Sequence, residues 1–335
     1  MTGSDPQYPD PGDGSYRERG PDGNAIDSDP DTLGLHEGRV HITTRHRGVD
    51  ATTIGHLALH IPNALLSLLI VTGLSLVLAE LTTLATWAWI GMWGVSGVLA
   101  LCRPVENQLA RLFFGLHHPT PRELARLQPL WREVTARAGV DASVYTLWVE
   151  ESADINAAAA GGHIVSVTSH AVERLPDGQL AAVLAHELGH HAGGHAWSAL
   201  MAYWYSLPGR LTWRLLLRGT LMAHRRSPIV GEVIVLTLTA AAVLAVVLTN
   251  GAVLLLIAGP FLISAVGRSA ELRADRYASG LGLTPQLTAL FSGALADGPA
   301  EKESGGAALL ARLLASHPDS RARLHALHRH TGDRS

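Results

Sequence analysis

Two histidines four residues apart, with a glutamate beside the first, are the side chains in this chain best spaced to do chemistry: His186-Glu187-Leu188-Gly189-His190. On a helix, positions i and i+4 lie one turn apart on the same face. Both imidazoles can then grip one zinc ion from a single rigid element. Glu187 projects beside them, where a carboxylate can take a proton from zinc-activated water. The pattern is short, and a surface helix can carry it by chance. The preceding residues argue against that. Asp177-Gly178 leads into Leu180-Ala181-Ala182-Val183-Leu184-Ala185, apolar helix formers that predict a buried helix. Two histidines and a glutamate at the end of such a helix need partners, because unpaired buried polar groups are costly. A metal supplies them.

A catalytic zinc usually has three protein ligands and one open position. His195 is the nearest third candidate. The pattern H-E-x-x-H-x-x-G-x-x-H places its glycine at Gly193, but its last position falls on Ala196, one residue past His195. That reading is rejected. Further on, Ser269-Ala270-Glu271-Leu272-Arg273-Ala274-Asp275 puts Glu271 and Asp275 on one helical face. Glu271 can be the third ligand, while Asp275 accepts the second N–H of a ligating histidine and sets its tautomer. The plain alternative is a charged helix in which Glu271, Arg273, Asp275 and Arg276 form exposed ion pairs. The first motif favours the metal reading.

These residues resemble the HtpX-like and CAAX-prenyl-endopeptidase family of integral-membrane gluzincins. His186-Glu187-Leu188-Gly189-His190 and Glu271-Leu272-Arg273-Ala274-Asp275 carry the resemblance. Two further segments match in order. Asn156-Ala157-Ala158-Ala159-Ala160-Gly161 fits N-A-x-A-x-G, and His317-Pro318 with Arg323 fits H-P-x-x-x-x-R. The family usually has a bulky residue after Asn-Ala, where this chain has Ala158. The resemblance spans roughly residues 57 to 325. It implies a zinc metalloendopeptidase with one Zn2+ per chain, polypeptide substrates, and Arg323 near the site. Arg323 then positions substrate or supports the site; an ordinary helix ion pair is the other reading.

Composition sets the surroundings. Of 335 residues, 47% are hydrophobic and only 16% charged, which points to membrane embedding. The net charge of −3 gives no reason to expect a nucleic-acid partner. Lys302 is the sole lysine, and Cys102 the sole cysteine, so neither an internal disulfide nor a cysteine zinc site is available.

Along the chain, the first 35 or so residues are rich in Pro, Gly, Asp and Ser and predict a disordered acidic tail, too polar for a signal peptide. A basic patch at Arg39, Arg45 and Arg47 follows. Leu57 to Ala79 is an apolar run of about 23 residues, roughly 34 Å as a helix. Leu84 to Cys102 is a second, with Trp87, Trp89 and Trp93 near its start. Pro121 to Arg137 predicts a helix; Val144 to Glu150 and His163 to Thr168 predict strands. Arg210, Arg214 and Arg218 share one helical face, suited to anionic lipid or to packing on the soluble domain. Ile229 to Gly267 reads as a second hairpin broken near Thr249-Asn250-Gly251. Because His186, His190 and Glu271 must meet, the chain between them crosses a membrane an even number of times. Arginines flank the outer ends of both hairpins and the turns have none, which places both termini and the catalytic section in the cytoplasm.

The expected fold is therefore a mostly α membrane protein. Two transmembrane hairpins, about four spans, accompany a cytoplasmic α+β gluzincin domain split around the second hairpin. The expected divisions are a tail at 1–52, a first hairpin at 53–102, protease segments at 103–228 and 268–335, and a second hairpin at 229–267. The expected setting is a bacterial plasma membrane, with lipid and membrane or membrane-proximal polypeptides as partners. Quality control is favoured over processing of prenylated C-termini. His186, His190 and Glu271 are the expected ligands, Glu187 the base and Asp275 the support. Asn156, Ala157 and Gly161 are expected substrate-binding residues, through strand addition by an extended peptide. His191, His195 and His317 are read as structural. The competing reading is a membrane scaffold that kept the fold and lost catalysis; the intact Glu187 argues against it.

Overall fold

The computed structural model describes residues 49–297 and 320–332. The acidic tail, the basic patch, Lys302 and His317 lie outside them. The chain runs through α1 (Ala51–Leu81), α2 (Thr86–Leu99), α3 (Arg103–Phe114), β1 (Leu116–His117) and α4 (Pro121–Ala138). It continues through β2 (Thr146–Glu150), β3 (Ala157–Ala160), β4 (Ile164–Thr168), α5 (Ser169–Arg174) and α6 (Asp177–Ala192). It ends with α7 (His195–Arg226), α8 (Pro228–Leu248), α9 (Leu255–Gly280), α10 (Thr284–Asp297) and α11 (Ser320–Gly332).

The soluble part is built on a four-stranded sheet in the order β1-β2-β4-β3. β2 and β4 are parallel; β1 and β3 run antiparallel to their neighbours. Every residue of β4 is buried. β3 lies at the edge. The amide of Thr168 donates to the Asn156 carbonyl at 3.0 Å, which makes 156/168 a hydrogen-bonded pair. Antiparallel pairs alternate, so the N–H and C=O groups of Ala157 and Ala159 point away from β4.

α4 starts where its sequence dictates. Thr120 and Glu123 form a reciprocal capping box, with Pro121 in the first turn. The core joins Leu127 and Val134 of α4, Val149 and Val165 of the sheet, and Leu180, Leu184 and Leu188 of α6. Leu281, Leu283, Leu287 and Leu327 close its far side. The apolar face of α6 is thus consumed by the core, which leaves His186 and His190 on the side turned away from it.

Two described helices are long and apolar enough to cross a membrane, α1 and α8, and a third crossing arises if α2 and α3 count as one broken span. Four spans are not shown. The run expected to cross at 84–102 forms only the 14 residues of α2, then bends 88° into the polar α3. At 1.5 Å per residue α2 is roughly 21 Å long, short of a hydrocarbon core of about 30 Å. The return leg after α8 begins at Leu255 and runs without a break into the helix that carries Glu271. Asn250 and Gly251, both at positive φ, make the turn between them.

α1 is inverted relative to a soluble helix. Its buried residues are Thr53, His56, His60, Ser67 and Ser75, while Leu65, Leu69 and Leu76 are exposed. Polar groups face neighbouring helices and apolar ones face outward, as lipid requires. α7 packs along α1 and α2. Trp204 Nε1 donates to Ser96 Oγ at 2.9 Å, and the Gly209 amide, next to the helix-interrupting Pro208, donates to Ser67 Oγ at 3.1 Å. The basic half of α7, with Arg210, Arg214 and Arg218, is exposed.

Candidate metal centre

His186, Glu187 and His190 lie on the last turns of α6, and Glu271 and Asp275 lie on α9. The two helices cross at Gly189. A Cβ there would stand 3.0 Å from the Ala274 Cα, 3.1 Å from the Tyr277 Cβ and 3.3 Å from the Ala274 carbonyl oxygen, so a larger residue would have to force the helices apart by a few tenths of an ångström. Glycine inside a helix is otherwise unfavourable. Here it brings α9 close enough for Glu271 to reach both histidines.

His186 Nε2 lies 3.2 Å from Glu271 Oε2, and His190 Nε2 lies 3.5 Å from Glu271 Oε1. The two Nε2 atoms are 3.2 Å apart. Ligands on a tetrahedral zinc at about 2.0–2.1 Å are separated by about 3.3–3.4 Å along each edge. The three atoms are therefore spaced as one face of a zinc coordination shell, and the donor set fits that ion. Facing nitrogens at hydrogen-bond distance, with only one acceptor side chain between them, also call for a shared cation.

The electrostatics agree. Burial disfavours the charged form of His186, but hydrogen bonds to Asp275 and Glu271 and the charge of Glu187 outweigh it, raising its pKa to about 9. Three carboxylates thus hold positive charge at this point, and the same field stabilises a divalent cation. Asp275 is itself buried, which disfavours its charge, yet hydrogen bonds from Arg323 and His186 keep its pKa below the usual range.

Support extends outward from the cluster. His186 Nδ1 meets Asp275 Oδ1 at 2.9 Å. Arg323 of α11 donates through Nε to Asp275 Oδ2 at 2.7 Å and through Nη2 to Oδ1. Its guanidinium lies over the Phe291 ring, 4.3 Å from the centroid. A cleft of about 620 Å³ exposes the site. His186, Glu187, His190, Glu271 and Arg323 line it, with Asn156 to Ala159 on one side and Leu290 and Phe291 on the other. Asp275 stands behind His186 rather than in the cleft. Gly161 is outside the lining; it holds the turn after β3 at φ 57°.

The other histidines separate cleanly. His191 Nε2 donates to the Ile164 carbonyl at 2.8 Å, and burial lowers its pKa to about 4. His195 lines the cleft, its ring centroid 5.6 Å from that of His190, but the metal-spaced group consists of His186, His190 and Glu271 without it. Its Nδ1 is buried with no hydrogen-bond partner among the described residues. Sequence reasoning missed Phe291 and also Glu106, whose carboxylate binds the turn at Gly162 and His163. Nothing local marks either: both act through distant contacts.

A helix bearing H-E-x-x-H, joined by a glutamate from a second helix beside a mixed sheet with an open edge, defines a gluzincin-type zinc metallopeptidase. The chain belongs to Peptidase family M48, whose family model matches residues 121–331, more than half of its length. Membership makes it a zinc-dependent hydrolase of peptide bonds. No curated protein matches the chain.

Proposed function

We propose that this protein is a membrane-embedded zinc endopeptidase that cuts membrane proteins or segments lying close to the bilayer, in quality control or processing. The observation that carries the reading is the buried His186–His190–Glu271 cluster, spaced for one zinc, with Glu187 in the same cleft. A zinc ion held there supplies a Lewis acid that polarises the scissile carbonyl and acidifies water. Glu187 takes the proton of the attacking water and returns it to the leaving amine. Asp275 accepts the Nδ1 proton of His186 and so keeps its Nε2 lone pair on the cluster. Arg323 holds Asp275 in place. Asn156, Ala157 and the rest of β3 receive an extended substrate on the strand edge, so recognition is largely of backbone. Gly161 contributes by shaping the turn that ends this strand.

The membrane setting follows from the same helices. α8 exposes Ile229, Val230, Val235 and Leu238 on several faces, an arrangement unfavourable in water and expected in lipid. The apolar first half of α9 ends near Gly267, which itself lines the cleft, and Glu271 follows one turn later. The site therefore lies within a turn or two of the headgroups. Arg225, Arg226 and Arg268 flank the outer ends of the second hairpin while its turn carries no arginine, which favours a cytoplasmic catalytic side and two crossings between the ligands. The exposed arginines of α7 suit the anionic headgroups at that surface.

The test is a peptidase assay in detergent or liposomes with a membrane-protein substrate and with its soluble loop alone. Cleavage that needs the metal and Glu187, and favours the membrane-borne form, is expected. Equal rates on unrelated soluble proteins would reject the membrane-proximal substrate class.

A further inference from the structure

Glu106 sits on α3, the helix that follows the 88° bend out of the apolar α2. Its side chain is only 3% exposed. A carboxylate so deeply placed needs several donors or a cation. Its donors all come from one turn. Oε1 accepts the amides of Gly162 at 2.8 Å and His163 at 3.1 Å, and Oε2 accepts from His163 Nδ1 at 2.9 Å. Gly161, just before them, has φ 57°, and a Cβ there would overlap the Glu106 carboxylate. This is the turn that ends β3.

β3 rests against α6 and α7, but its backbone ladder is thin. The strand is four alanines, paired on one side only. Its first end is tied through Asn156, whose amide donates to Thr168 Oγ1 at 3.1 Å. Its second end is tied by Glu106. α3 is itself firmly seated: Arg103 donates to the Val144 carbonyl at 2.8 Å, and Ala110 packs with Leu116, Trp148 and Ile164. We infer that Glu106 is a positioning residue for substrate recognition, fixing the outward N–H and C=O groups of Ala157 and Ala159 relative to the metal centre. It touches none of the metal-spaced residues, so its effect falls on substrate binding rather than on the chemical step. The inference rests on β3 being the edge that receives substrate.

The experiment is steady-state kinetics of the full-length protein on a fluorogenic peptide long enough to lie along β3, with zinc content measured in parallel. Glu106→Ala should raise KM about tenfold, the effect of weakening one or two backbone hydrogen bonds to substrate, with kcat within about twofold and zinc unchanged. Glu106→Gln should restore KM to within about twofold. Its oxygen can still accept both amides, and its N–H₂ can donate to His163 in the other tautomer. A native KM in folded Glu106→Ala, or a loss of zinc and kcat with KM untouched, overturns the inference. Should Glu106→Ala fail to fold, His163→Ala decides: a KM raised about two- to threefold with kcat kept supports the role, and a native KM refutes it. Ala159→Pro separates the two readings, because it removes one outward N–H and leaves the β4 ladder intact. A native KM there removes the substrate edge and this inference with it. A raised KM there beside a native KM in Glu106→Ala removes this inference alone.

Discussion

His186 Nδ1 and Asp275 Oδ1 lie 2.9 Å apart although 89 positions separate them in the chain. The bond joins the first histidine of α6 to a carboxylate on α9, one turn beyond Glu271. It commits the Nδ1 side of the ring to Asp275 and leaves Nε2 facing Glu271 and His190. Arg323, from a third helix, braces the same carboxylate with two bonds. Asp275→Ala should therefore weaken zinc affinity by roughly 10–100-fold while the fold survives. Arg323→Ala should act in the same direction and less, because Asp275 keeps its bond to His186. Competition with a zinc chelator measures both. Native affinity in Asp275→Ala would make the contact incidental.

The three closely spaced atoms predict one zinc per chain. His186→Ala, His190→Ala and Glu271→Ala should each purify with well under one equivalent, read by elemental analysis. His195→Ala should keep its metal. If His195→Ala loses zinc and Glu271→Ala retains it, the third ligand has been misassigned.

Glu187 is buried in the cleft beside the cluster but is not one of its three members. Glu187→Gln keeps the size of the side chain and removes its basicity. The variant should bind a full equivalent of zinc, melt near the native temperature and lose at least about 10²-fold in kcat. Cleavage at the native rate by such a protein would show that another group accepts the proton.

At Gly189 the neighbours are backbone atoms of Ala274 and the Cβ of Tyr277, all fixed to the backbone of α9 and unable to swing aside. Gly189→Ala should push α6 and α9 apart, costing about 1–3 kcal/mol of stability and lowering zinc affinity with it. Denaturation midpoints in detergent, with and without zinc, provide the measurement. An unchanged midpoint together with unchanged affinity would mean that the helices do not meet so closely.

Topology can be read with single cysteines introduced into Cys102→Ser protein. Lys302→Cys should be protected from an impermeant reagent in intact cells. Asn250→Cys, at the turn between α8 and α9, should react from outside or lie close to the outer face. Labelling of position 302 from outside reverses the orientation and the side from which substrate arrives.

Local periodicity carried much of the account. The i, i+4 spacing of His186 and His190 and the apolar run from Leu180 dictate a buried helix with both histidines on one face, because a helix turns every 3.6 residues whatever surrounds it. The same rule paired Glu271 with Asp275, and composition alone marked Leu57–Ala79 and the first half of the second hairpin as apolar enough to cross. Other features depend on contacts between distant segments, which no spacing rule encodes. The 84–102 run is apolar throughout, yet it breaks after Leu99 and bends 88° so that α3 can seat Glu106 under the β3–β4 turn. Gly189 reads as a weak point in a helix until α9 is laid across it. The role of Gly161 is visible only once the Glu106 carboxylate fills the space where its side chain would stand. Arg323 was legible as a residue near the site, but its bond to Asp275 required α11 to fold back over α9. Sequence determines which faces and charges each segment presents; tertiary packing decides which of them meet, since a buried carboxylate or a close helix crossing is stable only when its partner arrives from elsewhere in the chain.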